Sequence, residues 1–190
     1  MTKDGKLIIL SAPSGAGKTS IARGLLNSGL GLEFSISACS RDKRPDETEG
    51  KDYVFLSPDE FKSRKNQGDF LEWEEVYPDH FYGTLKSEVQ RIWKNGHHVL
   101  FDVDVYGGRK IKEIYGDQVL ALFIQPPSVQ ELEKRLNKRS SDSHEKIAMR
   151  LNKAEEELAF SKYFDKVITN DNLEIAINET LDIVRSFLNS

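Results

Sequence analysis

The sequence predicts an α/β protein: a parallel sheet with helices on both faces, three layers in all. Two observations carry this. Short apolar runs alternate with longer stretches whose apolar residues recur at helical spacing, and one polar, aromatic-rich stretch at residues 41–82 interrupts that rhythm. The first run, Leu7–Ser11 (LIILS), is a buried-type strand, and residues 17–27 follow with Ile21, Leu25 and Leu26 on one helical face. Residues 33–38 alternate like a strand, and 98–103, 118–125 and 166–169 are further apolar strands. Helical patterns cover 84–95, 106–115, 128–138, 143–163 and 173–188. This order of strands and helices favours parallel pairing through right-handed crossovers.

Inside the interruption, the segments DYVFL, FLEWEEV and HFYG read as β pieces around one helix. Ser57 is its N-cap, Pro58 takes the first helical position, and Glu60 completes a capping box. The stretch is expected to form an inserted lobe. Residues 140–143 (SSDS), between two helical patterns, are expected to form a hinge or lid tip, with the next helix starting near Ser143.

Composition narrows the function classes. The chain has 190 residues with 27 Lys+Arg and 31 Asp+Glu, a net charge of −4, and so lacks the basic excess of a nucleic-acid coat or a membrane-surface binder. Its apolar runs fall far below the roughly 18 residues that span a bilayer, and the four apolar residues after Lys6 are too few for a secretory h-region of roughly 7–15. Cys39, the single cysteine, has no partner for an internal disulfide and reads as a packed side chain. These features point to a cytoplasmic protein with small-molecule partners and no nucleic-acid or membrane partner. His97 and His98 have no acid at metal spacing and read as exposed or packed; Trp93 reads as core.

Directly after the first strand stands APSGAGKT, residues 12–19, opening a helix. Strand, glycine-rich turn and helix N-terminus together form a phosphate cradle. Gly15 and Gly17 permit positive φ, so that successive N–H groups turn toward one anion, and the helix dipole adds positive potential. Residues Ser14, Gly15, Ala16, Gly17, Lys18, Thr19 and Ser20 are the expected ATP contacts, with Lys18 on the β- and γ-phosphates and Thr19 a direct Mg²⁺ ligand. Ala12 replaces the first consensus glycine.

Three further clusters bear on the second substrate. Arg41 and Arg44 lie beside a turn and Tyr53; guanidinium forks match phosphate oxygens. The same stretch, with five acids and four bases in residues 41–52, also suits a solvated charge run. Glu72, in FLEW, can accept two hydrogen bonds from the N1–H and 2-amino edge of guanine, or it can be a surface acid beside a core tryptophan. Asp102 and Asp104 end an apolar strand on the side where parallel sheets bind ligands, where they can hold Mg²⁺ through its waters.

With these residues in view, the chain resembles the guanylate kinase family over about residues 5–188. The resemblance is carried by SAPSGAGKT, SRDKRPDETEGKDYVF, FLEW with FYG, DVD with Gly107, QPPSVQELEKRL, and the pair Arg150 and Leu151. It implies a core of residues 1–36 and 84–190 with a helical lid at about 134–153, and a GMP-binding lobe at 37–83. GMP contacts then fall on Ser37, Arg41, Arg44, Glu47, Tyr53, Glu72, Tyr82, Thr84, Asp102 and Asp104. Lys18, Arg135, Arg139 and Arg150 are the implied catalytic cations, and Asn170 lies near the adenine.

The implied reaction is Mg²⁺-dependent phosphoryl transfer from ATP to GMP, with dGMP a further acceptor, by a monomer or homodimer. The sequence departs from the family pattern at Lys43, Asp46, Tyr106 and Ser140. Two other readings fare worse. A regulatory GTPase would carry N-K-x-D, whereas Asn137 and Asn152 open NKRS and NKAE. A silent phosphopeptide-binding relative would lack the loop lysine or lid arginines, which are present here. Residues 134–153 carry a net +5, concentrated where a lid would close on phosphates.

Overall fold

The computed structural model describes residues 5–139 and 144–190, the side chains of Arg139 and His144 excepted. Its main sheet contains β1 (Leu7–Ser11), β2 (Leu32–Phe34), β7 (His98–Asp102), β8 (Val119–Gln125) and β9 (Lys166–Thr169), in the order β2-β7-β1-β8-β9. Every pairing is parallel, with Leu7 beside both Val99 and Val119 in register. All five residues of β1 are buried, because a central parallel strand is covered on both faces.

The pleat divides those side chains between two cores. Ile8 and Leu10 pack with Leu100, Leu122 and Ile124 under α1 (Lys18–Leu26) and α7 (Leu173–Asn189). Leu7 and Ile9 pack with Val99, Phe101 and Ala121 under α3 (Lys86–Lys94) and α4 (Val105–Tyr115). Trp93 lies against this second core. The α5 helix (Val129–Arg139) and α6 (His144–Ala159) pack on each other through Leu132, Leu136, Ile147 and Ala154.

The lobe has its own sheet, in the order β4-β3-β6-β5: β3 (Ala38–Cys39), β4 (Val54–Phe55), β5 (Phe70–Tyr77) and β6 (His80–Leu85). Its core is Phe61, from α2 (Pro58–Asn66), stacked on Phe70 at 4.3 Å and on Phe81 at 5.2 Å. A fully buried phenylalanine contributes roughly 1.5–3 kcal/mol by removal of apolar surface from water. Ser57 and Glu60 form the capping box expected of α2.

Three expectations shift. The 33–38 strand divides: Leu32–Phe34 joins the main sheet, and Ala38–Cys39 joins the lobe sheet. The 84–95 helix begins at Lys86, because Thr84 and Leu85 continue β6. The 143–163 helix ends at Ala159 and is followed by a 3₁₀ turn at Ser161–Tyr163; its expected start at Ser143 and the SSDS lid tip lie outside the described residues.

Candidate functional site

The loop between β1 and α1 has the geometry its glycines were expected to supply. Gly15 and Gly17 have φ of 94° and 100°. Gly17 caps α1 without a side chain, so the first-turn amides carry no side-chain cap. A Cβ on Gly17 would lie 2.1 Å from Asn170 Nδ2, the atom that donates to the Ala16 carbonyl at 2.7 Å and braces the loop from behind. Lys18 forms an ion pair with Asp102, the last residue of β7. Ser14, Gly15, Gly17, Lys18, Thr19, Asp102, Asp104 and Arg150 line one cleft of about 530 Å³. Arg150 reaches the loop directly, its guanidinium donating to Ser14 Oγ at 3.0 Å.

On the far side of the loop, Gly15, Gly17 and Ser20 share a second cavity of about 410 Å³ with Arg135, Lys138, Asn170 and Leu173. Arg135 donates to the Asn170 carbonyl at 2.9 Å, which ties α5 to the end of β9. Arg139 belongs to the same helix, but its side chain lies outside the described residues.

A third cavity, about 300 Å³, opens between the lobe and the core. Ser37, Tyr53, Glu72, Glu74, Tyr82, Asp102 and Asp104 line it. Glu72 is 9% exposed and stands opposite Thr84 across the β5–β6 ladder, accepting its hydroxyl hydrogen bond at 2.6 Å. Burial pushes the Glu72 carboxyl above the usual range, and the Thr84 hydroxyl only partly offsets this. A register shift between Phe70 and Glu72 sends Phe70 into the lobe core and Leu71 into the main core, leaving Glu72 to face the cavity. Gly107, in the first turn of α4, makes room for it, since a Cβ there would lie 2.9 Å from Glu72 Oε2.

Asp104 is the N-cap of α4 and accepts the Gly107 N–H at 2.7 Å. Burial alone would raise its carboxyl, but hydrogen bonds from Glu74 and from the Gly107 and Tyr106 amides outweigh that and leave it lowered. Its neighbour Glu74 moves the other way, pushed up to about 7 by the hydrogen bond to Asp104, by burial and by the Asp104 charge.

Behind the lobe cavity, Arg41 is fixed from several sides. It meets Glu47 in a two-point pair at 2.7 and 2.5 Å, donates to the Tyr82 hydroxyl at 3.1 Å, and lies 5.0 Å from the Tyr53 ring centre. Hydrogen bonds from Arg41, with the Arg44 amide at 2.9 Å, hold Glu47 at about 2. The Arg44 side chain is exposed and outside the cavity walls.

A family model described as guanylate kinase matches residues 4–188. The chain belongs to the guanylate kinase family. It is 51% identical over 185 residues to a guanylate kinase of Bacteroides thetaiotaomicron, covering 97% of this chain and 91% of that protein. A guanylate kinase of Salinibacter ruber is 49% identical, covering 98% of this chain and 99% of that one. A crystal structure of guanylate kinase from Anaplasma phagocytophilum superposes with a TM-score of 0.74 at 28% identity, covering 97% of this chain and 87% of that chain.

Within this guanylate kinase fold, the donor set fits Mg²⁺ that arrives with a nucleotide. The described residues contain no group of three or more His, Cys, Asp or Glu side chains able to hold a metal. The Thr19 hydroxyl and the Asp102 and Asp104 carboxylates nonetheless share the loop cleft, with Ser14 and Glu157 also in its wall. Mg²⁺ keeps several waters and uses one or two carboxylates plus phosphates, so a sparse set is what it requires. Among the described residues, no helix is long and apolar enough to cross a membrane.

Sequence reasoning missed three charged residues in the walls of the loop cleft and the lobe cavity: Glu74, Lys153 and Glu157. The signals were periodic. Glu74 follows Glu72 by two on a strand, while Lys153 follows Arg150 by three and precedes Glu157 by four on a helix.

Proposed function

We propose that the chain is an ATP:GMP phosphotransferase, moving the γ-phosphoryl group of ATP to GMP to give ADP and GDP. One observation carries the reading: the phosphate-loop cleft and the lobe cavity share Asp102, Val103 and Asp104 as a common wall, so that ligands in the two would meet end to end. In-line transfer needs little covalent chemistry beyond such alignment, charge neutralisation and exclusion of water. In this reading, residues 37–83 are the GMP lobe, 1–36 and 84–190 the core, and about 134–153 the lid.

Ser14 to Ser20 would cradle the ATP phosphates, and Asn170 would border the adenine. Arg41, Arg44, Tyr53 and Tyr82 would hold the GMP phosphate, Glu47 keeping Arg41 in place. Glu72, supported by Thr84, would read guanine beside Ser37 and Asp102. Lys18 would exchange its Asp102 partner for phosphate oxygens, joined there by Arg135, Arg139 and Arg150. Thr19 would ligate Mg²⁺ directly, with Asp102 and Asp104 acting through its waters; the ion would neutralise phosphate charge. The GMP phosphate is already anionic at neutral pH, so no general base is required.

The lack of a membrane-crossing helix among the described residues and the buried, free Cys39 fit a cytoplasmic setting. A coupled assay of ADP release with ATP-Mg²⁺ and, in turn, GMP, dGMP, AMP, CMP and UMP tests the reading. GMP should support turnover far above AMP, CMP and UMP. Turnover that does not respond to GMP sinks the proposal.

A further inference from the structure

Three elements from separate parts of the fold converge where the cleft and the lobe cavity join. The lobe strand β5 brings Glu74, the start of α4 brings Asp104, and α6 brings Lys153. Asp104 and Lys153 line both cavities, whereas Glu74 lines the lobe cavity and Glu157 the cleft. Among the described residues, Lys153 is the sole Lys or Arg in the wall of the lobe cavity. Of the other cations in the cleft wall, Lys18 pairs with Asp102 and Arg150 donates to Ser14 of the loop. Lys153 instead shares the lobe-cavity wall with Glu74 and Asp104 and the cleft wall with Asp104 and Glu157, so its ammonium sits among carboxylates of three elements.

That position matters for a reaction between two anions. On the proposed phosphotransferase reading, on which this inference rests, an oxygen of the acceptor phosphate forms a bond to the γ-phosphorus. The bond from that phosphorus to the β,γ-bridging oxygen breaks, and ADP leaves with the electron pair. Negative charge gathers on the equatorial oxygens midway between the two cavities, and both phosphates repel until a cation lies between them. An ammonium on a flexible stem has three donors and can serve two phosphates at once.

We propose that Lys153 is a catalytic residue that bridges the acceptor phosphate and the γ-phosphate during transfer, and that Glu74 is a positioning residue that holds its ammonium at the junction. Lys153 donates hydrogen bonds and transfers no proton. Because Glu74 belongs to the lobe and Lys153 to α6, the pair also ties the placement of this cation to the approach of lobe and core.

The test is steady-state kinetics of the full chain with ATP-Mg²⁺ and GMP, for the native protein, K153M, K153R, E74Q and E74Q/K153M, with a thermal midpoint for each. K153M should lower kcat about 10- to 100-fold, because it deletes a donor to developing charge. Its KM values should change far less than its kcat, its midpoint should stay near native, and K153R should recover most of the rate. E74Q should lower kcat by a smaller factor in the native background and by almost nothing in K153M, since its effect passes through Lys153.

Native kcat in K153M overturns the role of Lys153. So does a K153R variant as slow as K153M with an equally lowered midpoint, which is the signature of a packing role. Independent, multiplying effects of the two substitutions overturn the role of Glu74. A native chain that ignores GMP overturns the phosphotransferase reading itself and this proposal with it, a result distinguishable from an active native chain with an equally active K153M.

Discussion

A carboxylate as covered as Glu72 is retained at a cost, and the structure shows how that cost is limited. Thr84 satisfies one oxygen at 2.6 Å, and the other faces the N-terminal turn of α4 across Gly107. The remaining acceptor capacity points into the lobe cavity, where a guanine edge would bring two N–H donors and an adenine edge would not. Hydrogen bonds to a charged acceptor contribute about 1.5–3 kcal/mol each. Glu72→Gln keeps the volume but puts a donor where an acceptor is needed. It should therefore lower kcat/KM for GMP by roughly 100-fold or more and collapse the GMP to AMP ratio; an unchanged ratio in the same coupled assay removes Glu72 from base reading.

At this scale the sequence singled out side chains that the structure brings to the cavity walls, Lys18, Glu72, Asp102 and Asp104 among them, and was silent about their pairing. The aromatic setting marked Glu72, but that Thr84 bonds to it depends on a cross-strand register that no local spacing encodes. Glu74 was not singled out and Lys153 was visible only within the positive charge of residues 134–153, because their meeting depends on three elements distant in sequence.

At the scale of elements, the lobe's first loop is held by charge rather than by apolar packing. The Arg41 and Glu47 side chains are 11% and 12% exposed, and the Arg44 amide and the Lys43 ammonium close the turn onto Glu47. Glu47 is held at about 2, below its ordinary range near 4.5. A carboxyl lowered on folding stabilises the native state once pH exceeds its unfolded value, and that contribution disappears as pH falls through the folded value. The Glu47 contribution is therefore full above about pH 5 and declines from there toward about 2.

Thermal melting of the native chain and of Glu47→Gln should show a gap near neutrality that narrows as pH drops from about 5 to 3. A gap constant over that range would mean that Glu47 acts through shape alone. The capping box of α2 was readable because its signature is local. The end of β2 was not, since residues 33–38 alternate throughout and the change of sheet between Phe34 and Ala38 is set by which partner strand is near: Leu100 for the first part, Gly83 for the second. The start of α3 moved for a related reason, as Leu85 is held in the β5–β6 ladder by pairing with Phe70.

At the scale of the whole molecule, the alternation of strands and helices determined the layered core, because a parallel sheet buried on both faces leaves few arrangements. How the lobe meets the core was not legible. The lobe has its own apolar cluster around Phe61, separate from the two cores flanking the main sheet. The cavity between them combines lobe residues Tyr53, Glu72 and Tyr82 with Asp102 and Asp104 of the core, so a ligand there would contact both units at once.

Such a ligand stabilises the native state in proportion to the logarithm of one plus the ratio of its concentration to its dissociation constant, by about 2.7 kcal/mol when that ratio is 100. For a chain of this size, that corresponds to roughly 5–10 °C in midpoint. GMP alone should produce a shift of this order, AMP at equal concentration much less, and Glu72→Gln should lose most of the GMP shift while keeping one with ATP. Hydrogen exchange then separates the two units: GMP should slow exchange in β5 and β6 together with the end of β7. Protection confined to the lobe strands would mean that GMP binds to the lobe without engaging Asp102 and Asp104, and that the shared wall is not where the two substrates meet.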